Sequence, residues 1–275
     1  MSAIISTADT PEQYHAVKAV SNSGITKILR CPALFRAWQN GEAEEPKSDA
    51  LLFGNVFHCL ALEPETFASR YAVKRENGAT KAGKEEKSAA QAAGVQLVAL
   101  EMFDAAKGMA EAVRRQKLVQ RMNEAPDVMR EVSVYWTESV SGVEIPCKAR
   151  IDFLATVLGF GMVTCDLKSI TDASPEELSR SMFKWGYHRQ AAWYRRALAA
   201  VGIPSEVFVL LAVEKAAPYI VTPANVAPAA RLYGEGECER ALSIYADCVK
   251  SGEWPCYTKE ILELDLPEWV YRKVV

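Results

Sequence analysis

Two carboxylates and a lysine near the middle of the chain are spaced for metal-assisted chemistry. Asp152 ends the run Lys-Ala-Arg-Ile-Asp, and Asp166 and Lys168 stand two apart in Cys-Asp-Leu-Lys. Carboxylate oxygens are the ligands that hard divalent cations prefer. A lysine beside such a cation can stabilise or help deprotonate an attacking water, and it can also face a phosphate charge. The set therefore predicts a site for metal-assisted hydrolysis.

The spacing of these residues predicts that two neighbouring strands carry them. Lys148, Arg150 and Asp152 alternate along one segment and Asp166 and Lys168 along the next, so each set faces one side of its strand. A surface salt bridge is the competing interpretation, because Asp and Lys at a spacing of two are common in strands. Asp166, however, stands in an apolar run, where an ionised carboxylate needs a partner or a metal ion. This setting favours the chemical interpretation.

Hydrophobic periodicity and turn signals predict an α/β fold in which a mixed central sheet is flanked by helices. We expect one domain, 1–275, with a helical part at about 1–125, a catalytic sheet core at about 126–225, and a C-terminal helix and tail at 226–275. The expected helices lie at 22–40 (two short ones), 50–62, 97–122, 175–184, 187–201 and 227–249, and the expected strands at 131–136, 143–157, 162–168, 206–213 and 219–222.

Composition places the chain among ordinary globular proteins, with 49% hydrophobic and 24% charged residues over 275 positions. The formal net charge of −3 argues mildly against a small non-specific nucleic-acid binder, which would usually be basic. The argument is weak for an enzyme, because metal-binding carboxylates add negative charge and a local basic patch can still attract phosphate.

The cysteines and the N-terminus indicate a reducing environment. The seven cysteines are an odd number without any Cys-x-x-Cys pair, and several stand in apolar runs, which is typical of free buried thiols. The first residues lack the basic segment and apolar stretch of a signal peptide, and no run of about 18 apolar residues exists. We therefore expect a cytoplasmic protein without membrane attachment.

Five motifs in order resemble the PD-(D/E)XK nucleases, and within them the RecB-like branch and its RecE-type (exonuclease VIII) members. Asp152 matches the first acid, and Asp166-Leu-Lys168 matches the second element, with Asp where many relatives carry Glu. The other matches are Ser21-Asn-Ser23 followed by Cys31-Pro-Ala-Leu-Phe35, Gly54-Asn-Val-Phe-His58, and Gln190-Ala-Ala-Trp-Tyr194. The resemblance spans residues 21–215 and implies a restriction-endonuclease-like core.

The resemblance also implies roles for individual residues. His58 would ligate or orient the metal together with Asp152, Asp166 and Glu131, and an imidazole is capable of this. For His58 the alternative is a core histidine, and for Glu131 an ordinary strand-end carboxylate. Gln190 and Tyr194, four apart on one helix face, would lie near the scissile phosphate and the catalytic lysine, or else form the polar edge of a packing helix. The residues assigned to DNA contact are Ser23, Arg150 and Arg189; for Arg189, which shares a face with Arg196, solvated charges are the competing interpretation.

By this resemblance the cofactor is Mg²⁺, with Mn²⁺ as a substitute, and the substrate is the end of linear double-stranded DNA degraded from its 5′ end. The implied partners are a single-strand annealing protein and further copies in a ring, such as a tetramer. Cys31, Cys238, Cys248 and Cys256 match the number of ligands for the iron–sulfur cluster of some relatives, but their wide spacing argues against a cluster. The alternatives are a catalytically silent DNA-binding or assembly module with the same fold and a RecB-like nuclease of other polarity.

Overall fold

The computed structural model describes residues 3–43, 48–205 and 207–271. Its helices are α1 Pro11–Ala16, α2 Asn22–Arg30, α3 Pro32–Asn40, α4 Asp49–Leu62, α5 Phe67–Arg70, α6 Lys81–Ala92, α7 Leu100–Arg115, α8 Lys117–Asn123, α9 Pro175–Trp185, α10 Tyr187–Ala200, α11 Pro228–Ser251 and α12 Glu268–Tyr271. Its strands are β1 Ile4–Ser6, β2 Tyr71–Val73, β3 Gln96–Val98, β4 Met129–Val140, β5 Val143–Val157, β6 Gly161–Ile170, β7 Val207–Glu214 and β8 Val221–Asn225.

The main sheet is mixed, as the sequence predicts. Its strand order is β1-β4-β5-β6-β7-β8, and only the β6–β7 pair among these neighbours is parallel. Ser141 and Gly142 join β4 to β5 with φ of 51° and 79°, the conformation that a tight hairpin turn requires. The parallel pair needs a crossover, and α9 and α10 provide it.

Helices cover both faces of this sheet, so each face has its own apolar core. On one face α2, α3, α10 and α11 pack through residues such as Ile28, Phe35, Trp193 and Leu242. On the other face α4, α7 and α8 pack through residues such as Phe57, Met109 and Met122. The result is a three-layer arrangement with the sheet in the middle.

The sheet forks between β5 and β6. Their pairing runs from Val157↔Gly161 to Phe153↔Cys165, and Asp152 and Asp166 are the next residue on each strand. Beyond the fork, the segment before α2 approaches the free edge of β5, where the Val20 N–H donates to the Pro146 carbonyl over 2.8 Å. The fork therefore opens a space in the sheet at the two acids.

The side chains of β5 switch from one face of the sheet to the other at Asp152. In β5, Ile151 packs in the first core, whereas Phe153, two residues on, packs in the second, so the regular alternation breaks at Asp152. Opposite this point Glu131 has a φ of 50°, a left-handed conformation that costs a residue other than glycine about 1–3 kcal/mol. This backbone conformation places the Glu131 side chain beside Asp152 at the fork.

Three expectations need correction or addition. The helix expected at 97–122 is β3, α7 and α8, because Gln116 adopts an extended conformation and its side chain caps the Leu118 N–H over 2.9 Å. The N-terminal β1 and α1 were not expected. The first residue of the strand expected at 206–213 lies outside the described residues.

The cysteines and the helices give two further facts. All seven cysteines are free thiols, and all except Cys256 are buried. Among the described residues, every helix is too short or too polar to cross a bilayer.

Candidate active site

A cleft of about 1190 Å³ opens at the fork. Its walls come from α1, α2, α4, β5, β6 and α10, so both helical layers contribute to it. Among its lining residues are eight that the sequence singles out: Ser23, His58, Glu131, Arg150, Asp152, Lys168, Gln190 and Tyr194.

Asp166 lies immediately behind the cleft wall, where three polar side chains hold its carboxylate. It is fully buried. Its Oδ1 accepts a hydrogen bond from Gln190 Nε2 at 2.7 Å and a longer one from the Tyr194 hydroxyl at 3.4 Å. Its Oδ2 accepts no hydrogen bond among the described residues but forms an ion pair with Lys168. Gln190 and Tyr194 thus fix the acid that faces the lysine.

Lys168 keeps its proton in this setting. Burial alone would lower the pKa of its ammonium group, but the negative charges of Asp166 and Asp152 outweigh burial, so that the pKa is raised above its usual value. Lys168 Nζ also lies 5.6 Å from the centre of the Tyr187 ring. The lysine is therefore a fixed positive charge at the cleft.

Asp152 and His58 are both held by the backbone of Leu167, between Asp166 and Lys168. The Leu167 N–H donates to Asp152 Oδ2 over 2.7 Å, and the Leu167 carbonyl lies 3.0 Å from His58 Nε2. Because a carbonyl only accepts, His58 Nε2 must carry a proton, which leaves Nδ1 of the neutral ring with a lone pair. That Nδ1 faces Asp152 Oδ2 at 3.5 Å. A lone pair opposite a carboxylate requires a proton or a cation between them.

Glu131 completes a group that fits a divalent cation. One ligand atom each from His58, Glu131 and Asp152 lies within 4.8 Å of the others. Arg150 Nε holds Glu131 Oε2 at 2.6 Å. Burial and the neighbouring acids raise the pKa of Asp152 to about 7, although His58 opposes this shift. The two acids, the strained Glu131 and the His58 Nδ1 that faces Asp152 all fit an ion with oxygen and imidazole ligands.

The predicted metal ligands therefore divide into two sets. His58, Glu131 and Asp152 converge, whereas Asp166 points its two oxygens toward Gln190, Tyr194 and Lys168. Direct ligation by Asp166 stays a prediction.

The predicted DNA contacts have different environments. Ser23 is exposed at the cleft, and its hydroxyl lies 3.0 Å from that of Ser21. Arg189 does not line the cleft: it is 8% exposed and contacts Glu237 at 3.2 Å and Thr26 Oγ1 at 2.8 Å. Solvated charge was thus the wrong interpretation for Arg189, because the α10–α11 contact buries it against an acid. The same holds for Arg196, which is partly buried and pairs with Glu138 at 2.6 Å.

An N-terminal wall of the cleft was missed at the sequence level. Lys148, which the strand pattern places on the same face as Arg150 and Asp152, donates from Nζ to the carbonyls of Tyr14 and Val17 at 2.8 and 2.7 Å. It therefore anchors the end of α1 to β5, and burial lowers its pKa to about 8. The signal that could have located α1 is Thr10-Pro11 followed by Gln13, a capping box with proline in the first turn.

Comparison with known proteins agrees with this geometry. Residues 21–264 match the model of a family described as a PDDEXK-like domain of unknown function, DUF3799. The chain belongs to this family. The matched range spans the fork, α4 and α10, and the PD-(D/E)XK-like fold that the motifs predict is confirmed.

Solved structures extend the likeness over the whole chain. A protein from Eubacterium rectale, provisionally assigned as an exonuclease, is 16% identical with a TM-score of 0.58, covering 98% of this chain and all of its own. At that identity the likeness shows the fold alone. A second structure, SSO0001, is 11% identical with a TM-score of 0.39 over 84% of this chain and 80% of its own, which is too low to carry an argument. No curated protein matches the sequence.

Proposed function

We propose that the protein is a Mg²⁺-dependent DNA nuclease that hydrolyses phosphodiester bonds at the sheet fork. The observation that carries the proposal is the convergence of His58, Glu131 and Asp152 on one point beside the Asp166–Lys168 pair. The strained Glu131 and the His58 Nδ1 facing Asp152 at 3.5 Å support a metal centre over a catalytically silent module.

The metal would be held by His58, Glu131 and Asp152, with Asp166 as a further candidate ligand. A divalent ion bound there would neutralise charge on the phosphate and lower the pKa of a water molecule beside it. Mn²⁺, which also accepts oxygen and imidazole ligands, should substitute for Mg²⁺.

The chain's own residues supply positioning and charge. Lys168, protonated and fixed by Asp166, would bind a non-bridging phosphate oxygen and stabilise the charge that develops on it. Gln190 and Tyr194 would keep Asp166 aimed at the lysine. Arg150, whose Nη2 is buried without a hydrogen bond among the described residues, keeps Glu131 in its strained conformation and adds positive charge to the cleft wall.

The finer assignment rests on the motif resemblance. We propose that the substrate is linear double-stranded DNA, degraded from 5′ ends to leave a 3′ single strand for recombination. The enzyme would then work with a single-strand annealing protein and as a homo-oligomeric ring.

A time course on linear duplex DNA, labelled at either the 5′ or the 3′ end and supplied with Mg²⁺, tests this function. Early release of the 5′ label, slow loss of the 3′ label and survival of a closed circular duplex are the expected results. Cleavage of the circle would replace the exonuclease with an endonuclease. Stability of every substrate with either Mg²⁺ or Mn²⁺ would refute a nuclease.

A further inference from the structure

Exposed aromatic rings are concentrated where α9 turns into α10. Phe183, Trp185 and Tyr233 expose 72%, 59% and 59% of their surface. Phe183 and Tyr233 both contact the His188 ring, and Trp185 and Tyr187 lie beside them in sequence. We call these five residues the aromatic corner. Large rings left in water at one place are typical of a surface that binds something.

Two glycines bring these rings together. Gly186 ends α9 in a left-handed conformation with φ of 72°, so that α10 can begin at Tyr187. Gly234 lets α11 cross α10 closely, because a Cβ there would lie 2.5 Å from the His188 carbonyl oxygen. This crossing places the Tyr233 ring 5.6 Å from the His188 ring.

Two of the exposed rings rest against the buried His188 ring. Phe183 lies 6.2 Å from His188 with an angle of 10° between the planes. His188 is held on both sides, by Glu237 at 2.9 Å and by the Met182 carbonyl at 3.1 Å. The exposed faces of Phe183 and Tyr233 thus rest on a buried ring that cannot rotate freely.

Two cations of α9 lie beside the rings. Arg180 and Lys184 are exposed on α9 on either side of Phe183, and Lys184 Nζ lies 5.0 Å over the Trp185 ring. Of the nearby acids, Glu237 pairs with Arg189 and Glu235 pairs with Arg195. Glu177 contacts Arg180, and Glu176 is exposed one turn or more away.

Tyr187 connects the corner with the catalytic lysine. Its ring lies 5.6 Å from Lys168 Nζ, and it follows Trp185 by two residues at the junction of α9 and α10. The corner and Lys168 therefore meet at the α9–α10 junction.

We propose that the aromatic corner binds single-stranded DNA by stacking bases on Phe183 and Trp185, with Arg180 and Lys184 facing the backbone. Every base has an aromatic face, so such a surface holds a strand without reading its sequence. The inference rests on the proposed nuclease function, and it assigns to that site a subsite for the unpaired part of its substrate.

A double variant, Phe183→Ala with Trp185→Ala, tests the corner with little risk to folding, because both rings are largely exposed. Trp185→Phe retains a ring at one position. The matched control is Phe160→Ala, which removes an exposed ring from the β5–β6 turn. The Phe160 ring lies 5.4 Å from the Arg121 guanidinium. The probe is fluorescein-labelled oligothymidylate in EDTA, so that anisotropy reports binding without cleavage.

The double variant should bind the oligonucleotide at least about fivefold more weakly than wild type, the lower limit for the loss of one base–ring stack. Trp185→Phe and Phe160→Ala should bind like wild type. Equal affinity of the double variant and wild type would overturn the inference. So would unchanged affinity together with a changed sedimentation coefficient, which would make the corner a protein contact, for instance with the acidic and apolar segment 260–269 of another copy.

Hydrolysis of bis(p-nitrophenyl) phosphate by the wild type with Mg²⁺ tests the nuclease centre separately. If the wild type lacks this activity but the double variant loses affinity for the oligonucleotide, the corner stands and the proposed function falls. If the wild type hydrolyses the ester and the double variant binds the oligonucleotide normally, the proposed function stands and the aromatic corner is refuted as a binding site.

Discussion

The acids at the fork are buried, although a metal centre needs them ionised. Asp152 and Asp166 are 7% and 0% exposed, an environment that penalises ionised carboxylates. Each acid is compensated by a specific contact, with the Leu167 N–H for Asp152 and with Lys168 for Asp166. The compensation is incomplete at Asp152, whose raised pKa shows that the site favours an additional positive charge.

Removal of His58 should separate a metal ligand from a core histidine. His58→Ala should lose most of the stabilisation that Mg²⁺ or Mn²⁺ gives to the folded state, which is about 2.7 kcal/mol at a hundredfold excess over Kd. The buried His188 is the control, because His188→Ala breaks contacts with Glu237 and Met182 and should lower Tm with and without metal alike. The measurement is thermal unfolding of each protein with and without metal. An unchanged metal-induced shift in His58→Ala would return His58 to a packing role.

Asp152 should make the metal-free protein less stable as pH rises. Its pKa is about 7 in the folded state and near 3.8 when unfolded, so the native state binds the extra proton between these values and stability falls across that window. Asp152→Asn, measured in EDTA by urea unfolding, should therefore be increasingly more stable than wild type from pH 5 to pH 8.

Asp127 supplies a control of opposite sign. Hydrogen bonds from Thr156 lower its pKa, so its ionised form stabilises the fold above the unfolded pKa and this contribution is lost in acid. Asp127→Asn should be less stable than wild type at pH 7, with the difference shrinking toward pH 3. A pH-independent difference for Asp152→Asn would mean that Asp152 is ionised throughout.

Secondary-structure elements position the site through two irregularities, the β5–β6 fork and the close α10–α11 crossing. β5 could be predicted from sequence because its alternation is long and Ser141-Gly142 marks the turn before it. The fork could not, because parting of two strands depends on what fills the space between them. The burial of Arg189 also escaped prediction, since its partner Glu237 lies 48 residues away.

The site divides in the same way between what sequence spacing specifies and what only tertiary contacts reveal. Residue types and their order were enough to predict that Asp152, Lys168, His58 and Gln190 lie close together, and all four line the cleft. The role of Lys148 could not be predicted in this way. A strand pattern shows which face a side chain lies on, but not that Lys148 donates to three carbonyls at the end of α1. For the same reason the sequence could not show that Asp152 accepts from the Leu167 N–H whereas Asp166 contacts Gln190 and Lys168.

The helix crossing can be tested with two neighbouring glycines of α11. A Cβ at position 234 would lie 2.5 Å from the His188 carbonyl oxygen, whereas a Cβ at position 236 meets nothing within 4 Å. Gly234→Ala should therefore destabilise the protein by about 1–3 kcal/mol, the usual cost of overpacking. Gly236→Ala should be neutral or stabilise by up to about 1 kcal/mol through helix propensity. Urea unfolding checks both, and equal effects would contradict the close crossing.

The whole molecule combines a net charge of −3 with a cleft that must receive a polyanion if the proposed function holds. The positive charge at the cleft, from Lys168 and Arg150, is held inside an acidic site, so much of the attraction for phosphate would come with the metal ion. Binding of duplex DNA at the cleft, in contrast to binding of a single strand at the aromatic corner, should consequently depend on divalent cations as well as on salt.

Release of acid-soluble nucleotides from uniformly labelled linear duplex DNA, with Mg²⁺, tests the central claim most directly. The wild type should degrade the DNA, and addition of EDTA should stop it. Asp166→Asn, which removes a charge with little change in volume, should fold normally and lose activity, and Lys168→Ala should lose a factor of about 10²–10³ or more. Full activity in Asp166→Asn with Mg²⁺ present would contradict the account, because the catalytic centre would then lie elsewhere.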